Sequence, residues 1–157
     1  MKLKYLLTSF AIIGLISCSD GPEVNQDDLI TRHGMAYLKT STEPFTGVGI
    51  RYYGFGGKKK EDRYKNGYSH GMSYTYFSSG AKETEEKWDD GYKLSVKSWY
   101  LTGELRIHIE LTGDNTNTGI AKTWWINGDL KGIYSMENGK VVPGSQTYWD
   151  MDGNEIK

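Results

Sequence analysis

Five aromatic-and-glycine segments divide the chain at nearly equal intervals: "RYYGFG" ending at Gly56, "TYFSSG" at Gly80, "SWYLTG" at Gly103, "TWWING" at Gly128 and "YWDMDG" at Gly153. Successive glycines are 24, 23, 25 and 25 residues apart. A fixed period in the twenties marks a repeat array, in which each unit buries its apolar side only against its neighbours. Glycine supplies the positive φ of a tight turn, and the aromatics before it favour a strand. Each unit therefore begins with a strand that ends in a hairpin turn.

A second turn signal follows each first one, "YKNG" at Gly67, "WDDG" at Gly91, "LTG" at Gly113 and "MENG" at Gly139. A third glycine, Gly47, Gly71, Gly119 or Gly144, opens the next strand, but Leu94 stands there in one unit. That difference predicts another kind of connection between those two units. One hairpin alone is marginal in water, so the hairpins must pair into a common sheet. The fold class is all-β, an antiparallel meander of repeated β-hairpins. Composition agrees: 20 glycines, 3 prolines and 13% aromatic residues suit a turn-rich β protein. With only 37% hydrophobic residues, a thin core built from rings is expected.

The N-terminus is different in kind. Residues 1–17, "MKLKYLLTSFAIIGLIS", place Lys2 and Lys4 before a short apolar run, the form of a secretory signal. "LISC" resembles the lipobox, cut before a cysteine that then carries lipid, and Cys18 is the only cysteine. Cys18 is thus the expected lipidation site, and no intrachain disulfide can form. Residues 18–28, with "SDGPEVNQDD" after the cysteine, have turn formers and acids without apolar periodicity and predict a flexible tether. Residues 29–157 would be the repeat domain. Ser19, rather than Asp, after the cysteine points to a cell-envelope protein sorted to the outer membrane, held there by its acyl chains. Removing the signal takes the basic count from 19 to 17 against 20 acidic residues, a balance that excludes a basic nucleic-acid face.

"YKNGYSHG" (Tyr64 to Gly71) and "WWINGD" (Trp124 to Asp129) resemble the MORN repeat in its bacterial, antitoxin-like variant. "RHGMAYLKTSTEPFTGVG" (Arg32 to Gly49) is similar to the lead-in of that variant. The resemblance implies an elongated, twisted single sheet whose equivalent aromatics stack into ladders across it.

Little in the chain promises catalysis. His33, His70 and His108 lie in different units without metal-ligand spacing. "DMDGNE" (Asp150 to Glu155) and "DNTNTG" (Asp114 to Gly119) lack the ligand order of a calcium loop and are turns. No nucleophile motif, metal or cofactor is expected. The basic "KKKEDR" (Lys58 to Arg63) and acidic "KETEEKWDD" (Lys82 to Asp90) are expected to pair across neighbouring strands.

The aromatics are the one large feature left. Four places before each turn glycine stand Tyr52, Tyr76, Trp99, Trp124 and Trp149; three places before stand Tyr53, Phe77, Tyr100 and Trp125. Alternation along a strand puts the two sets on opposite faces, one buried as core and the other available for binding. The first set contains only Trp and Tyr and is the candidate binding row; Gly56, Gly80, Gly103, Gly128 and Gly153 are structural turn residues. The function expected is a non-enzymatic envelope lipoprotein that binds a protein partner. Two other classes fit the sequence: an antitoxin-like or immunity protein masking a toxin, and a glycan-binding lipoprotein, since Trp and Tyr stack on sugar rings.

Overall fold

The computed structural model describes residues 21–114 and 116–156. Cys18, the signal segment and the start of the tether lie outside these residues. The chain first forms β1 (Glu23–Asn25), a 3-10 turn (Gln26–Asp28), and the hairpin of β2 (Leu29–Arg32) and β3 (Met35–Leu38). There follow β4 (Gly47–Tyr52), β5 (Lys58–Lys65), β6 (Tyr68–Ser69), β7 (Gly71–Tyr76), β8 (Lys82–Asp89) and β9 (Tyr92–Trp99). The array continues with β10 (Leu105–Leu111), β11 (Gly119–Trp124), β12 (Leu130–Glu137), β13 (Lys140–Val141), β14 (Thr147–Trp149) and β15 (Glu155–Ile156). The main sheet has the order β1-β4-β5-β7-β8-β9-β10-β11-β12-β14-β15, with β6 and β13 folded back on β5 and β12. Every neighbouring pair is antiparallel except β1 with β4, and no α-helix occurs among the described residues. The protein is an all-β meander of hairpins.

Two turn geometries alternate. At each first turn the glycine N–H bonds the carbonyl three residues back, and that residue's N–H bonds the carbonyl just after the glycine. Gly80 to Phe77 and Phe77 to Ala81 span 2.9 and 2.8 Å, and the same pair recurs at Gly56, Gly103, Gly128 and Gly153. Only the glycine is left-handed at Gly80, Gly103, Gly128 and Gly153, the hairpin form that carries a bulge, while at the first turn Gly57 joins Gly56. At three of the four second turns two successive residues have positive φ: Asn66–Gly67, Asp90–Gly91 and Asn138–Gly139. This is the two-residue turn whose twist matches that of the strands. His33–Gly34 forms a further copy between β2 and β3. The connection at Gly113 is longer, spanning residues 112–118. Where Gly71 and Gly144 have a φ of 80°, the returning chain breaks into β6/β7 and β13/β14; where Leu94 stands, β9 runs unbroken for 8 residues.

The buried apolar side chains gather at the N-terminal end. Ala36, Phe45, Val48 and Ile50 are buried there, and farther along only Ala121 joins them among the described residues. The expected tether is corrected at Glu23–Asp28. Val24 pairs with Gly49, Pro22 accepts the Val48 N–H, and Asp27 bonds Arg51 at 2.7 Å. The open edge of β4 explains it: unpaired backbone groups there take up an extended segment. Gln26 and Leu29 lie so close over Gly49 that a Cβ would stand 2.1 Å from the Gln26 Oε1. Gln26 also donates to the Tyr64 hydroxyl at 3.0 Å, and Phe45 meets the Tyr64 ring edge-on. Desolvation raises the Tyr64 phenol above its ordinary value.

The charged runs also pair otherwise than expected. β7 lies between β5 and β8, so the two runs are not on neighbouring strands. Ion pairs form within each strand, Lys58–Glu61 at 2.8 Å, Lys60–Asp62 at 2.7 Å and Lys82–Glu85 at 2.6 Å, and Glu86 pairs across to Lys93 of β9 at 2.6 Å. Glu61 and Asp62 are buried beside their own lysines.

Candidate binding face

The cross-strand register fixes which side chains share a face. One row crosses the sheet as Ile50, Glu61, Tyr74, Glu85, Lys97, His108, Lys122, Ile133 and Thr147. Two residues beyond Ile50, Tyr74, Lys97, Lys122 and Thr147 stand Tyr52, Tyr76, Trp99, Trp124 and Trp149. Strand alternation therefore puts all of them on that face. Their pairing is equivalent too: each faces the residue six places on, namely Lys58, Lys82, Leu105, Leu130 and Glu155. Two strands separate successive rings, a spacing of roughly 9.5 Å. The fifth unit keeps this geometry because the turn bonds of Gly153 go to Asp150, leaving Trp149 in the row and Tyr148 on the other face.

Neither aromatic set is buried, which corrects the expectation that one of them forms the core. Tyr52 is 54% exposed, and Tyr76, Trp99, Trp124 and Trp149 are half-buried. The cause is architectural: among the described residues no second layer covers the sheet beyond the N-terminal hairpin, so rings are shielded by neighbours in their own face. Lys82 is one such neighbour, with its ammonium 5.2 Å from the Trp99 ring centre and 4.8 Å from that of Tyr74. Tyr76 has its phenol pushed up by partial desolvation and by the charge of Glu61.

The second set joins the units. The Tyr53 hydroxyl donates to the Tyr76 carbonyl at 2.5 Å, Tyr100 to the Trp124 carbonyl at 2.9 Å, and the Trp125 indole N–H to the Trp149 carbonyl at 3.0 Å. Three hairpin tips are thereby tied to the next, 23 or 24 residues on. Phe77 has no donor and makes no such tie. In the last unit Asp150 takes the aromatic's place and accepts from Asp152 and Asn154 within its own turn. The polar tip missing from Phe77 suggested in sequence which set is wet; in the structure that tip serves to bond backbone.

Of the histidines, His33 forms a turn and His108 Nε2 lies 2.6 Å from Glu110 Oε1. His70 departs from its expected isolation: its Nδ1 is 3.0 Å from Asp90 and 3.4 Å from Asp89. Asp89 and Asp90 are exposed and His70 is half-buried, and Asp90 is one of the residues of the left-handed turn beside it. The fold and this face define a hairpin-repeat sheet with an ordered aromatic row. Scans against models of protein families, characterised proteins and solved structures found no match for the chain.

Proposed function

We propose that the protein is a non-enzymatic, lipid-anchored envelope protein of MORN-like type whose sheet is a scaffold for a protein partner. The row Tyr52, Tyr76, Trp99, Trp124 and Trp149 is the contact. What carries this proposal is the placement of five Tyr and Trp side chains on one face, in register, with Tyr52 exposed and the other four half-buried. Such residues bring large area with little entropy loss and a polar tip that tolerates water, the profile of binding hot spots. Crosslinking of the mature domain in envelope extract should give a discrete partner that Trp99→Ala and Trp124→Ala each lose without a matching loss of fold. Retention of the partner by both variants would refute the assignment of the row.

The even spacing of the rings favours one second reading, an extended glycan lying across the strands. Saturable binding to a glycan array, lost in the same variants, would select it over a protein. Anchoring has its own test: a clickable palmitate analogue should label the wild type and not Cys18→Ser, and an unlabelled, soluble wild type would end the lipoprotein proposal.

A further inference from the structure

The face opposite the aromatic row changes character along the array. Its cross-strand row begins Lys60, Thr75, Thr84, Ser98 and continues Ile107, Thr123, Gly132, Tyr148. At the apolar end lies a groove of about 390 Å³ whose lining includes Tyr100, Arg106, Ile107, Lys131, Tyr134 and Tyr148. Gly132 shapes it: a Cβ there would stand 2.5 Å from the Tyr148 ring, so the missing side chain lets that ring lie over β12. The Tyr134 ring centre is 6.5 Å away from that of Tyr148, and desolvation raises its phenol.

Arg106 and Lys131 hold the same place in their hairpins. Each is the third residue after a turn glycine, within a register shift that leaves it unpaired in the ladder. Such bulge residues are re-aimed relative to the strand. Arg106 Nε lies 3.3 Å from the Ser98 hydroxyl, and the Lys131 ammonium 4.1 Å from the Trp125 ring centre. Neither forms an ion pair with a described residue, and no carboxylate lines the groove. The acids two places before them are held at the turns, Glu104 by Thr102 and Asp129 by Asn127. Lys58, Lys60, Lys82 and Lys93, by contrast, each have a carboxylate within 2.8 Å. This is an apolar, ring-lined groove with two uncompensated cations, within the size range of small-molecule sites.

The geometry points to a binding site for a small aromatic carboxylate, with its ring among Tyr100, Tyr134 and Tyr148 and its carboxylate toward Arg106 and Lys131. Aromatic faces and edges complement one another, and a guanidinium is the best match for a planar carboxylate. Trp124 lines this groove and also belongs to the aromatic row, but Arg106 and Lys131 lie outside that row, so a failure of carboxylate binding would leave the scaffold proposal untouched.

Calorimetric titration with 2-naphthoate tests it. The carboxylate should bind saturably, about tenfold tighter than the neutral 2-naphthamide and than decanoate. The variant Arg106→Gln/Lys131→Gln should lose about that same factor for naphthoate while its affinity for the amide stays unchanged. Lys59→Gln, at the equivalent bulge beside Tyr53, should change nothing. Equal affinity for acid and amide, absence of saturable binding, or an unaffected double variant would overturn the proposal, and decanoate binding as tightly would overturn its aromatic part. If the double variant does not fold, the acid-against-amide comparison on the unaltered protein decides.

Discussion

Tyr100→Phe removes one hydroxyl from a ring that stays in place. The lost bond is the 2.9 Å tie from one hairpin tip to the Trp124 carbonyl at the next. A net intramolecular hydrogen bond contributes about 0.5–1.5 kcal/mol, and the half-buried carbonyl left without its donor sets the value toward the upper end. In a chain of this size 1 kcal/mol moves the unfolding midpoint by roughly 2–4 °C, so a fall of about 1–6 °C is expected. Tyr92→Phe is the control, since its ring is 42% exposed and its hydroxyl has no partner among the described residues. The reciprocal change, Phe77→Tyr, offers the missing donor to the Trp99 carbonyl and should raise the midpoint by about 1–3 °C. Thermal unfolding followed by circular dichroism measures all three. Units in an array are stabilised by their neighbours, so amide exchange should also quicken around the tip of β11 in Tyr100→Phe. A midpoint for Tyr100→Phe equal to that of Tyr92→Phe would refute the claim that these ties hold the units together.

Gly103 and Gly128 have φ of 104° and 91° with open space where a Cβ would go. Gly103→Val and Gly128→Val should each cost roughly 1–3 kcal/mol through backbone strain alone, and unchanged unfolding in both would disprove the turn geometry. Hydrogen bonds from Asn154 hold the Asp150 carboxyl below its ordinary value of 3.8. Its folded-state value is depressed, so its contribution to the β14–β15 hairpin is complete above that ordinary value and is lost as pH falls through the lower, folded one. The Asn154 amide should therefore stay protected until the medium is more acidic than an ordinary aspartate requires; fraying that began near pH 6, roughly, would contradict this.

The sequence by itself determined the period, the hairpin and the number of units, because those rest on local chemistry. A glycine that must take positive φ announces its turn wherever the strand goes, and Tyr52 to Trp149 share a row because equal spacing carries equal register across a sheet. The Leu94 that stands in place of a glycine marked a different connection, and there β9 runs unbroken. Local signals failed where the outcome depends on what lies across the sheet. Asn127–Gly128 and Asn138–Gly139 are the same dipeptide, yet only the second has both residues left-handed, because the pairing of the flanking strands selects the turn. Glu23–Asp28 looks like a tether until the open edge of β4 supplies partners for its backbone. The lysine and glutamate runs seem made for each other until β7 comes between them. Arg106 and Lys131 carry no motif; their bulge positions and a groove lined from several strands are tertiary facts. Which rings are core could not be settled by alternation, since burial requires a second layer, and the described residues provide one only at the N-terminal end.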